Sequence, residues 1–435
     1  MKFYNRETEI GILKRIEANA VHSAQMTMVL GRRRVGKTTL LRKAFYDASV
    51  LYFFIAKKNE ILLCEEFVQE VETKIGVALG QFSSFSSLFR ALMILSKDRH
   101  YTLVVDEFQE FYSINSSIYS EIQNHWDSYK EESKINIIFC GSVYTLMKKI
   151  FENAKEPLFG RATAKLTIRP FTVTTIKQIL SDYYPTYSNE DLLAFYMVTG
   201  GIAKYIEQLV HNKSFTKKEI LDTVVSGGSF FLDEGRAVLI DEFGRDYGNY
   251  FSVLSLIASS KTARSEIESI LQLPVGGYLD RLEKDYGIIK RRRPFGAKES
   301  ARNVKYFIED NFLNFWFRFI YKYRSAVEIG NLDYVRNIIE RDYETYSGLI
   351  LERYFRDVLM QSNQYSDIGN YWDKRGQNEI DIVAVNDLEK MIHFYEVKRN
   401  PKKIDTLTLE SKASEILRNY RSYQDSYYKL SLEDM

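Results

Sequence analysis

The feature of this sequence that most restricts its fold is a glycine loop between an apolar strand and a helix. Residues 26–30 read as a short strand that runs directly into Gly-Arg-Arg-Arg-Val-Gly-Lys-Thr-Thr at positions 31–39, and a helical pattern begins at Leu40. The two glycines allow backbone N–H groups to curl around phosphate oxygens, and the helix N-terminus adds positive potential. This order of strand, loop and helix is typical of a phosphate-binding loop (P-loop) in an α/β protein.

The side chains of the loop predict a site for a nucleoside triphosphate with Mg²⁺, and hence a nucleotide hydrolase. Lys37 is expected to reach the outer phosphates and to assist hydrolysis, while Thr38 offers its hydroxyl to Mg²⁺. The alternative, a glycine turn in a surface loop, is disfavoured by the flanking strand and helix. The residues predicted to bind the nucleotide are Gly31, Val35, Gly36, Lys37, Thr38 and Thr39.

Two carboxylates follow a second apolar strand at residues 101–106. This strand is expected to lie beside the strand that precedes the glycine loop. Asp106 would then bind the Mg²⁺ shell, and Glu107 would orient and deprotonate the attacking water. Alone, an Asp-Glu pair fits an ordinary strand end equally well, so the prediction depends on its combination with the loop.

A third strand, residues 135–140, ends at Gly141 and Ser142, and Ser142 is a candidate sensor of the terminal phosphate from a neighbouring parallel strand. Arg161 follows a predicted loop and could neutralise charge on the γ-phosphate, within the chain or across a subunit interface. A purely structural role for Arg161 is the alternative.

These segments together resemble the archaeal-type P-loop ATPases related to the signal-transducing STAND class. The resemblance implies that Arg6, Glu7 and residues 200–204 adjoin the nucleotide base, and that the nucleotide is ATP and not GTP. Ala203 stands where that family usually has proline, so the shape of this loop departs from the pattern. The matching segments are Phe3–Glu7, Gly31–Thr39, Asp106-Glu107, Phe139–Ser142, Gly160-Arg161 and Gly200–Tyr205.

The middle of the chain predicts a winged helix. Residues 250–258, 263–271 and 275–285 read as three short helices, and residues 287–294 and 303–308 read as the two strands of a wing. Such a module contacts double-stranded DNA or docks another protein, and the two alternatives stay open. The basic residues expected to face DNA are Arg281, Lys284, Lys290, Arg291, Arg292, Arg293, Lys298 and Arg302.

Near the C-terminus, residues 378–385 and 391–398 each alternate polar and apolar side chains, as two adjacent strands with one buried face would. A hairpin symmetric about residues 388 and 389 places Asp381 opposite Glu396, with Lys398 on the same face. Opposed like charges destabilise a strand pair, so a bridging divalent cation or a shifted pKa is expected.

A helix predicted over residues 346–359 carries Glu352, which could add a third carboxylate. The set resembles the PD-(D/E)xK nuclease superfamily, which implies Asp381 and Glu396 as Mg²⁺ ligands, Glu352 as an accessory ligand, and Lys398 as the group that positions water. One alternative pairs Glu352 with Arg356 and Glu396 with Lys398 on a solvated face. Another alternative keeps the nuclease-like fold without the cleavage activity.

The predicted fold class is α/β, with a P-loop core on a parallel sheet, a helical lid, a winged helix and a restriction-endonuclease-like C-terminal domain. We predict an ATPase whose nucleotide state controls DNA contact or cleavage; the alternative is a nucleotide-dependent switch that binds a partner or DNA without cleaving it. The predicted domains are residues 1–170, 171–240, 241–325 and 326–435, in that order.

Composition restricts the partners. Sixty Lys and Arg against fifty-eight Asp and Glu leave the chain almost neutral, so contact with DNA requires a local basic patch. Two cysteines, Cys64 and Cys140, fit a reduced cytoplasmic protein, and no stretch is apolar enough to span a membrane. The first nine residues carry charges where a signal peptide would be apolar. A homo-oligomer through the ATPase domain is a further possibility.

Overall fold

The computed structural model describes residues 1–46, 49–244, 247–373 and 376–435. The chain divides into two compact units. The first unit spans Asn5–Arg169, and the second comprises Met1–Tyr4 with Pro170–Met435. The three predicted domains beyond residue 170 fall within the second unit, so the boundaries drawn between them stay predictions.

The first unit is built on a five-stranded parallel sheet in the order β2-β3-β4-β1-β5. Successive residues of a strand point to opposite faces, and the apolar ones alternate between two cores: Met28 belongs to one core and Val29 to the other. Both faces are therefore covered, and the predicted α/β class with a parallel sheet is confirmed. The strands are β1 (Gln25–Leu30), β2 (Val50–Phe54), β3 (Tyr101–Asp106), β4 (Ile135–Cys140) and β5 (Ala164–Thr167).

Helices connect these strands and cover the sheet. Their ends follow local chemistry: α3 begins after Asn59, whose side chain accepts a hydrogen bond from the Ile61 N–H, and ends at Gly76 in the left-handed region. The helices are α1 (Glu7–Asn19), α2 (Lys37–Ala44), α3 (Glu60–Ile75), α4 (Phe85–Leu95), α5 (Phe111–Ile114), α6 (Ile118–Tyr129) and α7 (Tyr144–Glu152).

The expected adjacency of β3 and β1 is wrong. Strand β4 lies between them, paired in parallel with β1 through Val29 and Cys140 and with β3 through Val105 and Phe139. All three strands are continuous apolar runs. Their composition therefore does not show whether β3 lies directly beside β1 or is separated from it by β4. The inserted strand places Ser142, which follows β4, between the glycine loop and the carboxylates of β3.

The second unit begins with helices, of which α13 to α15 precede a two-stranded antiparallel hairpin, β6 with β7. Three helices and a hairpin in this order are the elements that the sequence predicts, with α15 continuing as a π-helical turn over Arg281–Asp285. Their classification as a winged helix stays a prediction. The elements are α8 (Val173–Tyr183), α9 (Asn189–Thr199), α10 (Ala203–His211), α11 (Lys217–Val224), α12 (Phe230–Phe243), α13 (Tyr247–Ala258), α14 (Arg264–Leu271), α15 (Gly276–Asp280), β6 (Ile289–Arg292) and β7 (Lys305–Ile308).

A separate four-stranded sheet ends the second unit, in the order β11-β10-β9-β8. Strand β9 is antiparallel to β8 and β10, whereas β10 and β11 are parallel and joined through α19. The predicted α/β domain at the C-terminus is thus present as a sheet with helices. The elements are α16 (Asn311–Phe315), a π-helical stretch Trp316–Tyr321, α17 (Arg324–Glu328), α18 (Leu332–Gln361), β8 (Asp367–Trp372), β9 (Glu379–Asn386), β10 (Met391–Val397), α19 (Thr406–Leu417) and β11 (Gln424–Leu430).

Helix α9 forms the centre of the second unit's core, and residues 192–199 are all buried. Ser188 and Asp191 form a reciprocal capping box at its start, and Gly200 and Gly201 end it with φ of 52° and 80°. A Cβ at Gly201 would stand 2.2 Å from the carbonyl oxygen of Phe171, so only glycine fits there.

Two polar contacts tie α9 to the C-terminal elements. The Tyr196 hydroxyl donates to Asp357 of α18 at 2.5 Å, and Glu190 accepts from Arg399 at 2.6 Å. In the described part of the chain, every helix is too short or too polar to cross a membrane.

Candidate functional sites

The loop between β1 and α2 takes its shape from two glycines. Gly31 has φ of 156°, and a Cβ there would stand 2.9 Å from the backbone oxygen of Ile168. Gly36 has φ of 93° and directly precedes the first residue of α2. A side chain is strained at Gly36 and obstructed at Gly31, so the loop conformation requires both glycines. It presents backbone N–H groups at the N-terminus of α2, the arrangement that binds phosphate.

Lys37 is buried within this loop. Its ammonium donates to the carbonyl oxygens of Gly31 at 2.7 Å and Arg32 at 3.1 Å. Burial lowers the pKa of Lys37, and the nearby Cys140, Glu107 and Asp106 oppose that shift. The ammonium thus lies in the curve of the loop, and the acceptors that hold it are neutral carbonyl groups.

Asp106 is buried at the end of β3 and is surrounded by neutral donors. Its carboxylate lies 3.3 Å from the Thr38 hydroxyl and 3.0 Å from the Cys140 thiol, and it also accepts from the Tyr52 hydroxyl. The structure therefore brings together Thr38 and Asp106, the two residues predicted to bind Mg²⁺. Hydroxyl and carboxylate oxygens are the ligands that Mg²⁺ prefers, so the donor set fits this ion.

Glu107 has a left-handed backbone, with φ of 55°. Its carboxylate accepts hydrogen bonds from the Ser142 hydroxyl at 2.7 Å, the Ser142 N–H at 3.2 Å and the Gln109 amide at 2.6 Å. Arg33 of the glycine loop donates to the same Ser142 hydroxyl at 3.2 Å. Ser142 therefore links the predicted base to the loop, through contacts that the sequence does not specify.

The remaining residues predicted for this site have other partners. Arg161 donates to Asp127 at 3.2 Å and to the Phe159 carbonyl at 3.0 Å, so within the chain the structure favours its structural role. A role across a subunit interface stays a prediction. Arg6 donates to Glu9 at 3.0 Å and to the Arg169 carbonyl at 2.7 Å. Residues 200–204 belong to the second unit.

The carboxylates of the C-terminal sheet face each other as the sequence predicts. The hairpin register pairs Tyr395 with Ile382, so Glu396 lies opposite Asp381. The Lys398 ammonium is 3.1 Å from the Asp381 carboxylate and 2.8 Å from that of Glu396. A single ammonium thus bridges the two opposed carboxylates.

Burial and like charge govern the ionisation of this cluster. Burial raises the pKa of Asp381 and Glu396 raises it further, against the effect of Lys398. Burial also raises the pKa of Glu352, and Asp381 adds to that shift. For Lys398, burial acts to lower the pKa, but the two carboxylates outweigh it and the net shift is upward. The pKa of Asp381 is therefore shifted, as expected for opposed carboxylates, and Lys398 is the counter-charge that Asp381 and Glu396 share.

Glu396 retains an unsatisfied oxygen. Its Oε2 is buried and accepts no hydrogen bond in the described structure, with the Lys412 ammonium 3.8 Å away on α19. An orphaned carboxylate oxygen beside Asp381 suits a hard cation. Within the described ranges, however, no group of three or more His, Cys, Asp or Glu side chains has the geometry of a metal site. The role of Glu352 as a third ligand therefore stays a prediction.

The alternative for this cluster is correct only in part. Glu396 does pair with Lys398, but the Glu396 side chain is only 12% exposed and so does not lie on a solvated face. Glu352 and Arg356 form no ion pair with each other in the described part of the chain, and the carboxylate that acts on the pKa of Arg356 is Asp357. The two side chains point into the same cavity without meeting.

The predicted DNA-facing surface is less basic than its composition indicates. Three of its cations are ion-paired: Lys284 with Asp280 at 3.6 Å, Arg291 with Glu283 at 3.6 Å, and Arg292 with Glu309 at 2.8 Å. These acids reduce the positive potential available to phosphates. Among the described residues, the exposed cations of the set that form no ion pair are Arg281, Lys290, Lys298 and Arg302.

Comparison with known proteins finds a family match at each end of the chain. Residues 3–209 match a family described as an ATPase domain predominantly from Archaea. Residues 316–415 match a family described as archaeal and bacterial proteins of unknown function. An uncharacterized protein of Methanocaldococcus jannaschii is 26% identical over 406 residues, which cover 91% of this chain and 87% of the relative.

Two solved structures align with most of this chain. A Walker-type ATPase of Pyrococcus abyssi aligns with a TM-score of 0.55 and 19% identity over 72% of this chain and 96% of its own. The ORC2 protein of Aeropyrum pernix aligns with a TM-score of 0.45 and 13% identity over 79% of this chain and 96% of its own. At 19% identity, the likeness to the Pyrococcus protein shows a common fold.

Proposed function

We propose that this chain, which carries at residues 3–209 an ATPase domain of the predominantly archaeal family, hydrolyses Mg²⁺·ATP and uses its nucleotide state to control DNA contact or cleavage by its C-terminal domain. The proposed ATP hydrolysis is carried by the group of Lys37, Thr38, Asp106 and Glu107 at one edge of the parallel sheet. The proposed action on DNA depends on Asp381, Glu396 and Lys398.

In the proposed ATPase, Lys37 exchanges its hydrogen bonds to loop carbonyls for contacts with the outer phosphates. Thr38 and Asp106 hold Mg²⁺, which supplies positive charge against the negative charge that develops during phosphoryl transfer. Glu107 orients a water molecule and accepts its proton. Ser142 holds the Glu107 carboxylate at 2.7 Å, so the base is oriented before substrate arrives.

In the proposed nuclease, Asp381 and Glu396 hold a divalent cation, and Lys398 positions water and steadies charge on the phosphate. The unsatisfied Oε2 of Glu396 supports this assignment, because binding a cation would give that oxygen the partner it lacks. Lys398 must then exchange at least one of its ion pairs for contacts with substrate.

The decisive experiment measures ATP hydrolysis and plasmid cleavage on the same preparations, with Mg²⁺ or Mn²⁺ and with or without ATP. Wild type is compared with Lys37→Ala and Asp381→Ala. We expect Asp381→Ala to abolish cleavage and leave hydrolysis intact, and Lys37→Ala to abolish hydrolysis and change the ATP dependence of cleavage. Cleavage that persists in Asp381→Ala would contradict the assignment of the C-terminal cluster.

A second candidate is a nucleotide-dependent switch whose C-terminal domain binds DNA or a partner without cleaving it. Two observations favour it: Lys398 is already ion-paired with both carboxylates, and three cations of the predicted DNA-facing surface are paired with acids. Under this alternative, no cleavage occurs with either metal, while ATP hydrolysis remains and is lost in Lys37→Ala.

A further inference from the structure

The side chain of Gln109 is buried beside the proposed base of the ATPase, Glu107. Gln109 lies in the 3₁₀-helical turn Phe108–Glu110, which follows the left-handed Glu107, and only 1% of it is exposed. Its amide nitrogen donates to the Glu107 carboxylate at 2.6 Å and to the Glu110 carboxylate at 3.3 Å. One amide nitrogen thus binds two carboxylates.

The oxygen of the same amide is buried and, in the part of the chain that the structure describes, accepts no hydrogen bond. Turning the amide by 180° would place this oxygen against two carboxylates, so the contacts of the nitrogen determine which way the amide points. A buried acceptor without a donor costs stability, and folded proteins retain few of them. Since an apolar side chain would fill this space without that cost, the amide is better explained by what its nitrogen binds than by packing.

The end of β4 leaves room for this amide. A Cβ at Gly141 would stand 1.9 Å from the amide oxygen of Gln109 and 2.8 Å from the Met147 side chain. A side chain at position 141 would therefore displace the amide from its place beside Glu107. The next residue, Ser142, supplies the other two donors to Glu107. The end of β4 thus provides both the space for Gln109 and a second set of contacts to the base.

All three hydrogen bonds to the Glu107 carboxylate fall on one oxygen. The Gln109 amide, the Ser142 hydroxyl and the Ser142 N–H donate to Oε2 at 2.6, 2.7 and 3.2 Å. Among the described residues, none donates to Oε1. A proton binds to an oxygen with a free lone pair, so Oε1 is the oxygen that is available to take a proton from water. Donors from two separate elements hold Oε2 and so restrict the rotation of the carboxylate.

We propose that Gln109 is a positioning residue of the ATPase, which anchors Oε2 of Glu107 so that Oε1 accepts the proton of the attacking water. The inference rests on the proposed role of Glu107 as base, and it adds which oxygen acts and what holds it. In this step the water oxygen bonds to the γ-phosphorus, the bond from that phosphorus to the bridging oxygen of ADP breaks, and the water proton moves to Oε1. Gln109 acts only through Glu107.

The test compares ATP hydrolysis by Gln109→Met and by wild type at saturating Mg²⁺. Methionine is similar in length to glutamine but has no N–H to donate. We expect kcat to fall about tenfold, because Ser142 alone holds the carboxylate less firmly, and KM for ATP to stay unchanged. Gln69 is exposed on α3 of the same unit, so Gln69→Met is the matched control and should hydrolyse ATP as wild type does. Gln109→Leu takes the place of Gln109→Met if that variant does not fold.

A double variant separates positioning from general damage to the unit. In a Glu107→Gln background, Gln109→Met should cause no further loss of residual hydrolysis, measured with radiolabelled ATP, because the base that it orients is gone. A wild-type kcat in Gln109→Met, or a loss of the same size in both backgrounds, would overturn the inference and leave Glu107 as the base. Full activity of Glu107→Gln would instead remove the proposed base and this inference together.

Discussion

The two acidic sites use the same residue types, an Asp, a Glu and a Lys, but differ in what the lysine binds. In the first unit, Lys37 donates to neutral carbonyls, and Asp106 accepts from neutral donors. In the second unit, Lys398 binds both carboxylates directly. The first site keeps its positive and negative charges available to Mg²⁺·ATP, whereas the second holds its lysine in ion pairs with its own carboxylates and must break at least one of them before it acts.

The largest effect that tests this comparison is expected for Glu107→Gln. The amide keeps the size of the side chain but cannot accept a proton, so kcat for ATP hydrolysis should fall about a hundredfold or more while ATP still binds. Steady-state hydrolysis and equilibrium binding of a fluorescent ATP analogue measure the two effects separately. Glu132→Gln, on the surface of the same unit, is the control. Unchanged kcat in Glu107→Gln would remove this residue from the role of base.

A smaller effect is expected for Lys398→Gln, which leaves Asp381 and Glu396 opposed with only the more distant Lys412 ammonium, 3.8 Å from Glu396, as counter-charge. Lys398 is 38% exposed, so the loss should be modest, about 1 kcal/mol in the free energy of unfolding. Thermal unfolding should show the loss, and added Mn²⁺ should recover part of it by replacing the ammonium. Lys402→Gln is the exposed control. If Lys398→Gln is as stable as wild type, the ion pairs of Lys398 do not stabilise the second site.

The smallest effect concerns pH. The pKa of Glu352 is raised by burial and by Asp381. A carboxyl whose pKa is higher in the folded state than in the unfolded state binds more protons when folded. The free energy of unfolding therefore falls as the pH rises above the pKa that the carboxyl has in the unfolded chain. Glu352→Gln removes this loss and should raise Tm at pH 8 by about 2 °C, with no gain near pH 4. Glu410→Gln, exposed on α19, should change neither value. A Tm of Glu352→Gln below wild type at pH 8 would contradict the shift.

Two local features of these sites, the conformation of the glycine loop and the opposition of two carboxylates, follow from the sequence. The glycine loop requires φ values that only glycine adopts easily, so Gly31 and Gly36 specify it without distant contacts. The opposition of Asp381 and Glu396 follows from alternation in two strands joined by a short turn, since register in such a hairpin is determined locally.

The parts that the sequence does not predict depend on distant contacts. The sequence does not predict that β4 lies between β1 and β3, because three continuous apolar strands cannot be ordered from their composition. The contacts of Tyr52 and Cys140 with Asp106 come from other strands of the sheet. Likewise, Glu283 and Glu309 neutralise cations of the hairpin from separate elements, so counting basic residues overstates the patch.

Helix α9 has a mechanical consequence for this chain. It is buried along its length, ends at the close-packed Gly201, and is bonded to Asp357 and to Arg399, the neighbour of Lys398. Packed protein interiors compress very little, so a helix buried in this way transmits a displacement along its axis. We therefore expect a displacement at its glycine end to reach Arg399, beside Lys398, so that α9 and the carboxylate sheet move together.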